Sequence, residues 1–189
     1  MSVLAEVRKK LTWDDIKGLP EEGKTELVEG ELYVSPTAGA PHQRIGTRLA
    51  VLIQPFVEER DLGEFFGRDL HVVLDEHNHF EPDLCFIRKE RLHLIVGPYL
   101  DGPPDLAIEI LSESDRQRDT QLKFAYYERY GVAEYWIVDP RERRIAVFAL
   151  EDGRYASLGE FGPGSLVRTR ALEGLELDPA RVFAERPTG

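Results

Sequence analysis

A single cysteine in 189 residues, Cys85, excludes an internal disulfide and a cysteine-built zinc site. It lies in the aliphatic run LCFI and reads as an inert core thiol. No apolar stretch approaches the about 20 residues that span a bilayer, so no membrane partner is expected. The opening MSVLAEVRKK places its basic residues after the short apolar stretch, the reverse of a secretory signal. The expected compartment is the cytoplasm. Positive charge is scarce: 24 Lys and Arg stand against 35 Asp and Glu, for a net charge of −11. Non-specific coating of nucleic acid is thereby disfavoured, because phosphate contact rests on clustered cations. A local basic groove stays open, as does an acidic centre that needs a divalent metal before it tolerates phosphate. Internal repeats, low-complexity tracts and long linkers are also lacking.

What is present reads as one domain over 1–189, with a core at about 25–150 and a C-terminal β extension at 151–189. TELVEGELYVSP, residues 25–36, alternates on either side of Glu29-Gly30 and predicts a β-hairpin. Ile45, Leu49, Leu52, Ile53 and Phe56 recur at helical spacing, with Pro55 expected to kink or end that helix late. EFFGRDLHVVLD, 64–75, reads as one strand with an irregularity at its glycine; EHNH is a turn, PDLCFI a strand, RKERLHL a short helix and PPDLAIEIL a strand. Ser114 with Gln117 fits a capping box and Gly131 a left-handed C-terminal cap, which predicts a helix over 115–130. AEYWIVDP and RRIAVFAL form two strands around an Asp-Pro-Arg-Glu turn. One more strand is expected near 165–170 and a short element at 179–184. The class is α+β: a mixed sheet of six or more strands, two main helices and an added hairpin at each end.

Two of these strands carry an acid where a core residue belongs. Alternation puts Asp83 on one face with Cys85 and Ile87, and Glu109 on one face with Ala107 and Leu111. Burying a lone carboxylate costs several kcal/mol without compensation, and two nearby carboxylates cost more. A divalent cation relieves both penalties; so, separately, would pairing with arginine or with backbone N–H groups. On the helix after Glu109, residues Arg116, Asp119, Thr120, Lys123, Tyr127 and Tyr130 share one side. Lys123 could reach a phosphate or a metal-bound water, or simply pair with Asp119 one turn away. His71, His77, His79 and His93 read as strand and turn residues, and HNH at 77–79 is a poor chelate without a third ligand.

The order ELVEGELYVSP, a His at a helix start, PDLCFI, PDLAIEILSES and DTQLKFAYYERYGVAEYWIVDP resembles the Uma endonuclease family, a branch of the PD-(D/E)XK nuclease superfamily. The resemblance spans about residues 25–150. It implies a restriction-endonuclease-like central mixed β-sheet flanked by α-helices, dependence on Mg²⁺ with Mn²⁺ able to substitute, and hydrolysis of phosphodiester bonds in nucleic acid, DNA in particular. It assigns Asp83 and Glu109 as the metal-binding acids and Glu29 as the early acid that helps hold metal. Where the superfamily has a lysine two residues after its second acid, this chain has Leu111, and Lys123 is the matching position on the next helix. His42 matches the helix-start histidine. Arg44, Arg116, Asp119 and Tyr127 join His42 as expected substrate contacts, with Arg48 and Arg118 as further cations. A homodimer is expected, since nucleases that cut both strands often pair two active sites; in a purely structural oligomer, RRIAVFAL would offer an apolar edge for the interface. Two other classes stay open: a nuclease-fold protein that binds nucleic acid without cutting, and an oligomeric structural module whose acids pair with arginines.

Overall fold

The computed structural model describes residues 9–18, 23–36, 38–112 and 116–184. A one-turn helix, α1 (Trp13–Ile16), opens the described chain under a capping box in which Thr12 and Asp15 satisfy each other's backbone. The expected hairpin follows as β1 (Lys24–Val28) and β2 (Glu31–Ser35). Its turn puts Glu29 and Gly30 at φ 51° and 81°, the left-handed pair that a tight hairpin needs. A side chain at position 30 would also meet Lys10, since a Cβ there would lie 2.6 Å from Lys10 Cβ.

Helix α2 (Ala40–Glu59) buries Ile45, Leu49, Ile53 and Val57 along one stripe. Pro55 does not end it. The proline is on the exposed side, where the carbonyl it leaves unpaired can meet water, and the helix continues four more residues. The next segment departs from expectation. Residues 64–75 are two strands, β3 (Gly63–Phe66) and β4 (His71–Asp75), in two different sheets. The break falls at the Arg68–Asp69 turn, where Asp69 takes φ 75°, a conformation that aspartate tolerates better than most residues. The EHNH segment is a turn only at Glu76 and His77, since β5 (Asn78–Phe80) begins within it.

Strand β6 (Leu84–Arg88) leads through a 3₁₀ turn (Lys89–Leu94) to the short β7 (Ile95–Val96) and β8 (Tyr99–Asp101), then to β9 (Leu106–Ile110). A π-helical turn (Arg118–Lys123) runs into α3 (Phe124–Tyr130), which Gly131 caps at φ 82°. The Ser114 cap lies outside the described residues. Strands β10 (Glu134–Asp139), β11 (Arg144–Glu151) and β12 (Arg154–Phe161) form a meander, and α4 (Pro179–Val182) closes the described chain.

Among the described residues there are two six-stranded sheets rather than one. The first runs β2-β1-β5-β4-β8-β7 and the second β12-β11-β10-β9-β6-β3. In the second, β9 pairs parallel with β10 and antiparallel with β6, the mixed centre that was expected. Both faces of β9 are covered. Leu106, Ile108 and Ile110 pack under α2, while Ala107 and Leu111 pack with Tyr127, Tyr135 and, from the first sheet, Val28 and Phe80. β11 is interior, between β10 and β12, so RRIAVFAL is not a free edge.

No strand forms at 165–170. That segment turns instead around Glu134, which is buried and accepts from Trp136 Nε1 (2.6 Å), Thr169 Oγ1 (2.6 Å), Arg170 N (2.6 Å) and Ala171 N (3.1 Å). A carboxylate does here what a strand ladder would otherwise do. Glu134→Ala leaves four donors without their acceptor and is expected to cost about 3 kcal/mol. Urea unfolding checks this, with early proteolysis after residue 161 as the local sign.

Candidate active site

β1 contributes Lys24 and Glu26 from one face. The bend before β6 contributes Asp83, β9 contributes Glu109, α2 contributes His42, and the π-turn with α3 contributes Arg118, Asp119, Lys123 and Tyr127. These meet where the two sheets pack. Glu26, Asp83, Glu109, Asp119 and Lys123 are all buried.

Each of the two principal acids is held by one oxygen and offers the other to a shared cation. Asp83 Oδ2 accepts from the backbone N–H of Ile110 at 2.8 Å and contacts His42 Nε2 at 2.9 Å. Glu109 Oε1 accepts from Lys123 Nζ at 2.7 Å and from the Tyr127 hydroxyl at 3.0 Å. The remaining oxygens, Asp83 Oδ1 and Glu109 Oε2, converge on Lys24 Nζ at 3.3 and 3.0 Å. Behind them, Glu26 pairs with Lys123 at 2.9 Å and with Arg118 at 2.9 Å, and Lys123 also lies 3.3 Å from Asp119.

The charges tune one another. Burial would raise Asp83, but Lys24 and the hydrogen bond from His42 hold it below the usual carboxylate range. Glu26 is likewise pushed up by burial and brought well down by Lys123, Lys24 and Arg118. Burial works against the charge of Lys123, yet Glu109, Glu26 and Asp119 raise its pKa well above that of a free lysine. Lys24 ends raised as well: burial and Lys123 oppose its charge, and Glu109, Asp83 and Glu26 outweigh them. Asp119 is the exception. Burial pushes it up to about 7, with Glu109 adding to the rise and Lys123 only partly offsetting it.

The expected site residues divide into those that meet and those that do not. Asp83, Glu109, Lys123, Asp119, Tyr127 and His42 form one cluster. Glu29 is outside it: it occupies the exposed hairpin turn and interacts with Tyr126, and the β1 acid that reaches the cluster is Glu26. Lys123 lies within the cluster. Its side chain is 1% exposed and encased by three carboxylates. Tyr127 is fully buried and holds Glu109. Arg116 forks onto Asp139 at 2.8 and 3.0 Å, and Arg48 donates to the carbonyls of Val182 and Ala184. Arg44 is exposed and lines neither hollow of the site.

Lys24 was missed. Alternation would have found it: Lys24 and Glu26 share a face of β1, whereas a residue in the turn shares none. Of the two lysines in the cluster it is the less enclosed, with 14% side-chain exposure against 1% for Lys123. A hollow of about 130 Å³ over the ion network and a larger one of about 820 Å³ along α2 both have Lys24, His42, Arg68, Asp83 and Ile110 in their walls.

This geometry can hold a cation between two carboxylate oxygens at the floor of a cleft. Residues 12–180 match the Uma2 family, described as "Putative restriction endonuclease". The chain belongs to that family, and the family description supports a nuclease acting on nucleic acid. A crystal structure described as a putative nuclease belonging to DUF820, from Anabaena variabilis ATCC 29413, superposes with a TM-score of 0.79 at 23% identity, over 92% of this chain and 97% of that one. That likeness shows the restriction-endonuclease-like fold class. No curated protein matches the chain. Among the described residues, no helix is long and apolar enough to cross a membrane.

Two outcomes follow from the ion network. Lys123→Met removes the cation that three buried carboxylates share, and should cost about 3–5 kcal/mol by urea unfolding. Asp119 gives a pH signature. Its folded value, about 7, lies above the reference 3.8, so folded Asp119 keeps a proton that the unfolded chain loses. Its contribution to stability is fully present below pH 3.8, declines as pH rises, and is lost above about 7. Unfolding in chelator at pH 5 and pH 8 should therefore show a loss between the two that Asp119→Asn reduces.

Proposed function

We propose that the protein is a metal-dependent nuclease that hydrolyses phosphodiester bonds, with DNA as the substrate. The observation that carries this reading is the convergence of Asp83 Oδ1 and Glu109 Oε2 on one positive charge, the Lys24 ammonium, while their other oxygens are tied back. An all-oxygen donor pair of this kind suits Mg²⁺, with Mn²⁺ able to replace it. Asp83 and Glu109 would hold the ion, and Glu29 is too far out on its turn to join them. When bound, Mg²⁺ supplies an acidified water and charge neutralisation at phosphate.

The chain's own residues do the rest. His42 and the Ile110 N–H fix Asp83. Tyr127 and Lys123 fix Glu109, so Lys123 is a positioning residue rather than the group that meets phosphate. Lys24, at the junction of the two hollows, donates to a phosphate oxygen and stabilises the charge that develops there. Arg68, in the wall of both hollows, receives the neighbouring phosphate. A cytoplasmic homodimer, with one site for each strand of a duplex, is the assembly this reading calls for.

A second reading has its own support. Lys24 already compensates both acids, so the cluster is stable as a nucleic-acid-binding site that does not cut. Calorimetric titration with Mn²⁺, beside a Mg²⁺-dependent cleavage assay on plasmid DNA, separates the two. Wild-type protein should bind Mn²⁺ saturably, and Asp83→Asn and Glu109→Gln should each abolish binding. Lys24→Met should bind at least as tightly, since a competing cation is gone, yet cleave about 10²–10³-fold more slowly. Binding without cleavage would favour the non-cutting module. Absence of binding in the wild type would remove the nuclease mechanism.

A further inference from the structure

Across the first sheet from the acid cluster lies a second group of donors with different chemistry. The β4–β5 ladder pairs Val72 with Phe80 and Val73 with His79. One further step along that ladder brings His71 opposite Glu81, so His71, His79 and Glu81 share a face. Their donor atoms lie within 4.8 Å of one another. His71 Nδ1 is 2.9 Å from His79 Nε2 and 3.4 Å from Glu81 Oε1. Nitrogen and oxygen ligands about 2.0–2.1 Å from a tetrahedral zinc ion stand roughly 3.3 Å apart, so these separations bracket what such an ion requires.

The surroundings favour a neutral imidazole at His79. His79 has no solvent exposure, and burial together with His71 brings its pKa down to about 3. Its other ring nitrogen, Nδ1, is buried without a hydrogen-bond partner, so the group of donors is where His79 makes its polar contact. Glu81 is anchored: Oε1 accepts from the backbone N–H of Thr25 at 2.9 Å, and the Glu81 N–H donates to Glu26 Oε1 at 3.3 Å. Trp13 covers the pair, its ring centroid 5.2 Å from that of His71 and 4.6 Å from that of His79. The neighbouring His77 takes no part; its Nδ1 meets the Leu11 carbonyl.

We infer that His71, His79 and Glu81 form a second metal site, for a zinc-class transition ion rather than for Mg²⁺. Two imidazoles and one carboxylate leave a fourth position for water and select borderline metals over hard ones. The ion would clamp β4 and β5 to the start of β1, where Lys24 and Glu26 enter the acid cluster, and would seat α1 through Trp13. The inference stands apart from the nuclease reading, because it uses none of the residues proposed to hold Mg²⁺.

Co²⁺ is the probe, since its visible d–d absorption reports nitrogen ligation and low coordination. It is titrated into the full chain as wild type, Asp83→Asn, His71→Ala and His71→Asn, with folding checked by circular dichroism. One equivalent should raise a visible band and quench Trp13 fluorescence in the wild type and in Asp83→Asn. Zn²⁺ should remove the band by displacement, and excess Mg²⁺ should not. Whichever His71 variant folds should lack the band. A wild type without a band, a band that survives loss of His71, or a band lost in Asp83→Asn would each overturn the assignment; the last would put the ion on the acids.

Discussion

Glu109 has no exposed surface, sits on one of the two central strands of its sheet, and is a carboxyl group whose burial must be compensated where it lies. Much of the architecture around it can be understood as that compensation. Lys123 and Tyr127 reach it from the helix that follows β9, and this sets how that helix crosses the sheet. Lys24 reaches it from β1, and this ties the first sheet to the second. Because Lys123 also serves Glu26 and Asp119, three carboxylates share one buried ammonium. Removing one partner of a buried pair strands the others, which is why such networks cost more to break than they contribute when intact.

Much of this was legible in the sequence, and the reasons are specific. Period-two alternation located β9 and both of its faces, because a strand covered on both sides leaves a carboxylate nowhere polar to point. The stripe of Asp119, Lys123 and Tyr127 was visible at a spacing of four and survives the π-turn. The tripeptide PDL occurs twice, however, and local pattern gave no means of ranking the copies. Asp83 joins the cluster, whereas Asp105 is held by the Arg88 backbone N–H and the Arg91 guanidinium at 2.9 and 3.1 Å. What separates them is which strands become neighbours, a property of topology rather than of the tripeptide. The same limit explains the single strand read over 64–75, since a mid-segment turn that changes sheets resembles an irregularity within one. It also explains HNH: the partners that His79 lacked were His71 and Glu81, supplied by a ladder.

The position of Glu29 outside the cluster follows from the hairpin itself. A hairpin turn centred on Glu29-Gly30 requires left-handed backbone at both residues, which points the Glu29 side chain away from either strand face. Glu26, on the strand itself, faces inward with Lys24. Turn geometry and face geometry are both contained in residues 26–36, and they send Glu29 and Glu26 in different directions.

The position of the lysines follows from the same packing. Residue 111 is where a lysine two places beyond Glu109 would stand, on the same face of the strand. That face is occupied by Leu111, which packs with Ala107, Tyr127 and Ile137. A lysine there would have to thread its ammonium out through aromatic side chains, whereas one on the facing helix reaches Glu109 directly. Moving the cation to Lys123 compensates the acid but buries the ammonium, which then cannot touch a substrate. The proposed mechanism therefore assigns that task to a second cation, Lys24, which is partly exposed and contacts both acids. On the proposed nuclease reading, two functions that a single lysine could combine in a shallower site, holding the acid and meeting the phosphate, are divided between the buried Lys123 and the partly exposed Lys24. Under the same proposal the division also reconciles a net charge of −11 with an anionic substrate, because the positive charge it relies on is concentrated at one cleft rather than spread over a surface.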